Sequence, residues 1–281
     1  MKRSRDFLSG TLYLVATPIG NLSDISSRVK ETLSSVDFVA SEDTRTTEKI
    51  LAYLGIHKPM IACHEHNEQE ASNQIINLLK EHKNVALTSD AGYPAISDPG
   101  AILVRRCIEE NVKVSVIPGP NAALNALAGS NIDTSHFYFH GFLNSNPSVR
   151  KKELTDLKSY KMTLIFYESP HRIKKTLNDL YSIFGNRKIT LARELTKMFE
   201  EYIYGTLEEL ASIDETSIKG EMVLVVEGNK EELVIDDNII LEEAKNLSNS
   251  YSLKDIAKIL SDKYNLKKNY VYDLLLKKGD F

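Results

Sequence analysis

Two rhythms of apolar and polar positions alternate along the chain. Short runs rich in β-branched and aromatic residues predict strands at 11–16 (TLYLVA), 37–40 (DFVA), 84–88 (NVALT) and 113–117 (KVSVI). Four more follow at 137–140 (FYFH), 162–167 (MTLIFY), 188–192 (KITLA) and 221–227 (EMVLVVE). Between them apolar residues recur every three to four positions, as in Ile75, Ile76, Leu78, Leu79 and in Ile173, Leu177, Leu180, Ile183. That spacing predicts amphipathic helices. Strands alternating with helices predict an α/β architecture. The rhythm restarts near Gly129-Ser130, and the polar stretch NKEELVIDDN (229–238) follows the last strand. We therefore expect an N-terminal α/β domain over 1–128, a second α/β domain over 129–233 and a C-terminal helical domain over 234–281.

The tail carries its own pattern. Ser252 and Asp255 stand at capping-box spacing ahead of an apolar face of Leu253, Ile256, Ala257 and Leu260. A break at Tyr264-Asn265 precedes a second helix with Val271, Leu274 and Leu275, and two short helices around a tight turn resemble a helix-turn-helix unit. From 251 to 278 there are seven lysines against three aspartates. Two readings stand: a helical bundle with solvated lysines, or a module that contacts RNA phosphates.

Composition narrows the class. The 281 residues carry a net charge of −4, which argues against a uniformly basic nucleic-acid binder and confines any such surface to a patch. Cys63 and Cys107, without CxxC spacing, suggest neither a disulfide framework nor a zinc site and fit a reducing compartment. There is no apolar stretch long enough for a membrane span, so a cytoplasmic protein is expected.

Candidate chemistry lies in the loops that leave the strand ends, where open α/β sheets bind ligands. ATPIGNL (16–22), SEDTR (41–45), TSDAGYPAISDPG (88–100) and PGPNAAL (118–124) each follow a predicted strand. None has the GxGxxG or GxxxxGK[ST] spacing of dinucleotide or P-loop phosphate binding. Asp98 before Pro99 reads as a helix N-cap, hence structural, whereas Asp90 at a strand end is not needed as a cap. Asp43 or Thr44 reads equally as a cap of the next helix or as a site residue, and Arg45 on its first turn, unfavourable to the helix dipole, is better placed to face an anion. His64 and His66, two residues apart, would share one face of a strand, but no third ligand accompanies them and no metal is expected. Glu168 ends the strand of FYESPHR (166–172) and is a site candidate.

Together LYLVATPIGNLSDIS, SEDTR, HEHNE, SDAGYPAISDPG, FYESPHR and ARELTKMFEE resemble, in the same order, the ribosomal small subunit methyltransferase I family of the tetrapyrrole-methylase superfamily. The resemblance runs from about residue 10 to the C-terminus. It implies two α/β domains with S-adenosylmethionine in the cleft between them, a small helical C-terminal domain, a homodimer, and 2′-O-methylation of a decoding-centre cytidine in 16S rRNA. The implied cofactor contacts are Pro18, Thr88, Ser89, Asp90, Tyr93, Asn121, Ala122, Glu168 and Glu194. Tyr93 stands where the family usually has threonine, Asn121 where it has serine or threonine, and His140 and Asn144 replace its usual glutamate and proline. Glu42, Asp43 and Glu168 are equal candidates for the proton acceptor, with Arg45, Arg172 and Arg193 as phosphate clamps. Arg150, Lys151, Lys152 and Arg172, from a basic stretch over 150–175 that reads equally as a helix with solvated lysines, and Lys267 and Lys268 in the tail are the expected RNA contacts. A sibling methylase acting on a corrinoid carbon and a non-catalytic RNA-binding protein remain as other classes.

Overall fold

In the computed structural model, which describes residues 9–214, 218–230, 236–248, 250–264 and 266–278, the first sheet is organised around β4 (Val85–Thr88). All four of its residues are buried, as expected for a strand covered on both faces. It lies between β2 (Phe38–Ser41) and β1 (Thr11–Val15); β3 (Met60–Ala62) and β5 (Lys113–Ile117) form the edges, giving the order β3-β2-β4-β1-β5. Every pairing in this sheet is parallel. Its crossovers contain α1 (Ser27–Ser35), α2 (Thr44–Leu54), α3 (Glu68–Lys80) and α4 (Ala101–Glu109). The predicted periodicity of α3 becomes contact: Ile75, Ile76 and Leu79 are buried in one cluster with Leu12, Val85 and Leu87 of the sheet.

After α5 (Ala122–Ala128) comes a mixed sheet of order β6-β7-β10-β8-β9. It comprises β6 (Phe137–Phe142), β7 (Thr163–Glu168), β8 (Lys188–Arg193), β9 (Glu201–Thr206) and β10 (Met222–Val226). Only β6 and β7 pair in parallel; the other neighbours are antiparallel. The crossover helix α6 (Pro147–Leu157) and α7 (Ile173–Phe184) pack on this sheet, α7 burying Ile173, Leu177, Leu180 and Phe184 along one stripe. The short α8 (Leu207–Ser212) begins with a full capping box between Thr206 and Glu209. Between Phe139 and Gly141 the β6–β7 register shifts, a bulge at which Gly141 adopts a φ of 82°.

Eight of these ten strands coincide with the sequence expectation. The other two, β3 and β9, lie outside it: β3 has only three residues, and β9 is an edge strand within ARELTKMFEE and the residues after it. Both sheets belong to one compact unit, Met1–Asn229, and the second unit is Lys230–Phe281. That second unit consists of α9 (Asp237–Leu247), α10 (Leu253–Tyr264) and α11 (Lys268–Lys278). Its core joins Ile240 and Ala244 to Ile256, Leu260, Val271 and Leu275. At the start of α10 the Asp255 amide donates to the Ser252 hydroxyl oxygen, and that hydroxyl donates to the Asp255 carboxylate at 2.5 Å. Among the described residues no helix is long and apolar enough to cross a membrane.

Candidate active site

Because β1, β2, β4 and β5 are parallel, the four unusual loops all leave the same edge of the sheet. Backbone hydrogen bonds lock them together. Thr17 and Gly92 exchange N–H···O bonds of 2.8 and 3.1 Å, and the Thr17 hydroxyl donates to the Ser89 carbonyl at 3.0 Å. Gly92 has a φ of 81°, a left-handed conformation that favours glycine at this turn. The amide of Asp43 donates to the Asp90 carboxylate at 3.2 Å, and the amide of Gly119 donates to the Tyr93 phenolic oxygen at 3.2 Å. Tyr93 therefore ties two site loops through its side chain, a function a threonine is too short to reproduce.

These loops form one side of a cleft of about 440 Å³, within the size range of small-ligand sites. The second sheet supplies the other side through Phe142, Tyr167, Glu168, Leu195, Met222 and Val223. Phe142 and Tyr167 meet edge-on with ring centroids 5.4 Å apart. Of the residues expected at the site, Glu42, Asp90, Tyr93, Asn121, Ala122 and Glu168 line this cleft.

Others stand behind it. Thr88 and Ser89 are buried, the Thr88 hydroxyl engaging Thr47 at 3.2 Å and the Ala40 carbonyl at 3.3 Å. Ile19, one residue after Pro18, forms the wall that its loop contributes. Glu194 accepts from Lys197 at 3.0 Å and from the Glu221 amide at 3.2 Å, while its neighbour Leu195 lines the cleft. Asn121 is the N-cap of α5, accepting from the Leu124 amide.

Three sequence readings need correction. Asp98 does not cap a helix: α4 starts at Ala101, its N-cap is Gly100, and the amides of Gly100 and Ile102 donate to one oxygen of the buried Glu68 at 2.9 and 3.0 Å. Gly100 has a φ of 131°, and a Cβ there would meet Leu87 at 2.7 Å, so the chain turns through a position closed to other residues before the helix begins. Asp98 instead lines the cleft. Arg150 is no surface contact, being 3% exposed with its guanidinium bound to Asp179 at 2.6 and 2.8 Å. His64 and His66 lie in a turn after β3, which ends at Ala62, with ring centroids 6.1 Å apart and edge-on. Lys151, Lys152, Lys267 and Lys268 are exposed. Arg172 is partly engaged within the fold, donating to the Leu143 carbonyl at 2.6 Å.

The carboxylates in and around the cleft differ sharply. Asp43 caps α2 and is held at about 2, chiefly by the side-chain hydrogen bonds of Arg45, whose own partner is thus Asp43. Glu168 is almost fully enclosed: it accepts from the Thr176 hydroxyl at 2.5 Å and from the Ser169 amide at 2.8 Å, with Arg172 3.4 Å away. Both are committed within the fold. Glu42 is raised from its ordinary value, first by burial and then by Asp90. Asp90 is raised as well, mainly by burial, with the Asp43 amide pulling the other way. Asp98 is pushed up to about 6 by burial, reinforced by the charges of Glu42 and Asp90. A cleft with apolar walls and a cluster of carboxylates suits a cationic organic ligand.

The model of the family described as Tetrapyrrole (Corrin/Porphyrin) Methylases matches residues 11–211. A curated relative from Haemophilus influenzae, "Ribosomal RNA small subunit methyltransferase I", is 45% identical over 272 residues, covering 94% of this chain and 96% of that one. The chain belongs to the ribosomal RNA small subunit methyltransferase I family. Another member, from Halalkalibacterium halodurans, is 50% identical over 225 residues, covering 80% of this chain and 78% of its own. The family fold also matches a solved uroporphyrin-III C-methyl transferase from Thermus thermophilus complexed with S-adenyl homocysteine. That likeness has a TM-score of 0.57 at 16% identity and covers 78% of this chain and 97% of that one.

Proposed function

We propose that this protein uses S-adenosylmethionine to methylate the 2′-hydroxyl of a decoding-centre cytidine in the 16S rRNA of the small ribosomal subunit. The observation that carries the reading is the cleft itself, which sets apolar Ile19, Leu195, Met222 and Val223 against the carboxylates of Glu42, Asp90 and Asp98. That donor set fits the methyl donor: a purine ring and thioether chain match the apolar wall, and a sulfonium cation matches the carboxylates. The names of the relatives supply the substrate class, and a structure of the same fold exists with the demethylated donor.

When bound, the donor supplies an electrophilic methyl group on sulfur with a neutral thioether as leaving group. The chain's own residues bind and orient. Asp90 and Glu42 balance positive charge, the backbone at Gly92 and Ala122 permits close approach, and Tyr93 keeps the two loops in register. Orientation of this kind is enough for much of the rate, because fixed reactants avoid a large entropic cost. We assign RNA contact to Lys151 and Lys152 on α6 and to residues 234–281 through Lys267 and Lys268, and expect the protein to act as a homodimer. Calorimetry with S-adenosylhomocysteine, followed by methyl transfer to small-subunit particles, tests the reading. Binding and transfer are expected; no heat with the thioether would overturn it.

A further inference from the structure

Resting on that reading, we propose that Asp98 is the residue that accepts the proton of the attacking ribose hydroxyl. Of the other carboxylates near the cleft, Asp43, Glu168, Asp90 and Glu221 are engaged within the fold, Glu221 by Lys197 at 3.1 Å. Glu42 stands on backbone without the strained geometry that presents Asp98. Asp43 is clamped by the Arg45 guanidinium through contacts of 2.7–3.2 Å, and Glu168 is held by Thr176, Ser169 and Arg172. Asp90 already accepts the Asp43 amide. Asp98 lines the cleft without any comparable cation. Hydrogen bonding from the Ser89 side chain offsets only part of the rise in its carboxyl.

The backbone around Asp98 is held in an uncommon shape. Ala95 and Ser97 have φ of 68° and 62°, a region that side chains avoid, and Gly100 follows at 131°. For Ala95 and Ser97 such a conformation is unfavourable and persists only where the surroundings impose it. The imposing contacts are visible: the Ala95 amide donates to the Pro99 carbonyl at 3.1 Å, and Glu68 anchors the far end. Ser97 reaches the β6 bulge, where a Cβ on Gly141 would meet its hydroxyl oxygen at 3.1 Å. A capping role would need none of this. The strain fits a loop that presents one side chain to the cleft.

The charges acting on Asp98 are Glu42 from the loop after β2 and Asp90 from the loop after β4, while the Asp98 charge in turn raises the Tyr167 phenol on β7. With these neighbours its carboxyl sits at about 6, closer to working pH than an ordinary aspartate and so better matched to proton transfer. In the balanced step the ribose oxygen bonds to the methyl carbon as the carbon–sulfur bond breaks. That electron pair leaves on sulfur, and the hydroxyl proton passes to the Asp98 carboxylate.

The test compares wild type with Asp98→Asn and Asp98→Glu. Single-turnover methyl transfer to small-subunit particles is measured against pH, alongside calorimetric binding of S-adenosylhomocysteine and carboxyl NMR titration of the free protein. We expect Asp98→Asn to bind the thioether within a few-fold of wild type yet lose about 10²–10⁴ in transfer rate, with Asp98→Glu recovering part of it. At limiting donor and RNA, where it reports the free protein, the wild-type rate should rise with pH through the same midpoint as the Asp98 carboxyl resonance. Transfer by Asp98→Asn at the wild-type rate would overturn the proposal alone. So would a carboxyl resonance that titrates far from the rate midpoint, which remains readable if the asparagine variant does not fold. Wild-type protein that transfers no methyl to RNA would overturn the functional reading and this proposal together.

Discussion

Removing the Glu68 carboxylate should destabilise the first unit and loosen the loop that carries Asp98. Glu68 is buried, and one of its oxygens accepts the amides of Gly100 and Ile102 at 2.9 and 3.0 Å. Those amides belong to the group of donors that a helix leaves unpaired at its start. Each hydrogen bond to a charged group contributes about 1.5–3 kcal/mol, and a favourable anion at a helix N-terminus about 0.3–1 kcal/mol. Relief of the cost of burying the carboxylate offsets part of this. We therefore expect Glu68→Ala to lose about 2–4 kcal/mol in urea unfolding, with a fall in Tm of roughly 5–10 °C. Glu68→Gln keeps an acceptor oxygen and should lose only about 1 kcal/mol, the difference that charge makes. Affinity for S-adenosylhomocysteine should fall in Glu68→Ala more than in Glu68→Gln. Glu68→Ala within about 0.5 kcal/mol of wild type, or less harmful than Asp98→Ala, would refute the assignment of the cap to Glu68.

Arg150→Ala should lose about 3 kcal/mol of stability by leaving buried Asp179 only the exposed Lys151, 3.5 Å away, with the salt dependence of RNA binding unchanged. Lys151→Ala with Lys152→Ala should cost less stability, because Arg150 still holds Asp179, and should flatten the log–log salt slope by ~0.7–0.9 for each phosphate that is no longer neutralised. Asp98 predicts a pH effect on the free protein. Its carboxyl rises from 3.8 to about 6 on folding, so the folded state holds the extra proton between these values and stability falls as pH rises through 6. A full shift of that size would be worth about 3 kcal/mol; partial exposure reduces it to about 1. Asp98→Asn should therefore be the more stable protein at pH 7.5 and nearly equal to wild type at pH 4, by denaturant titration at both. A chain ending at Asn229, the limit of the first compact unit, should fold and bind S-adenosylhomocysteine but methylate small-subunit particles poorly.

Local signals made most of the fold legible. Runs such as VALT and MVLVV are buried along their whole length and read as strands from composition alone. Met60–Ala62 is too short to show alternation, and Glu201–Thr206 lies at a sheet edge where half-exposed tyrosines replace a buried face. The site was legible where one loop carries it. Asp90 is legible from its place at the end of a strand that turns out to have parallel neighbours, whereas Tyr93 and Glu42 enter through the resemblance. Glu221, Met222 and Val223 were missed because they reach the cleft through β10, whose partners β7 and β8 are distant in sequence. Asp98 reads as a cap for another reason. Asp-Pro is a strong local cap signal, but a glutamate thirty-two residues upstream of Gly100 takes the cap, a pairing only the folded chain displays.

The most direct measurement is methyl transfer with a labelled donor to unmethylated small-subunit particles, followed by alkaline digestion of the RNA. A 2′-O-methyl group blocks cleavage of its own phosphodiester, so the account predicts label in one alkali-stable dinucleotide that begins with cytidine from the 16S decoding region. Label released in a mononucleotide, marking methylation on a base, or no label in RNA beside intact donor binding, would contradict it.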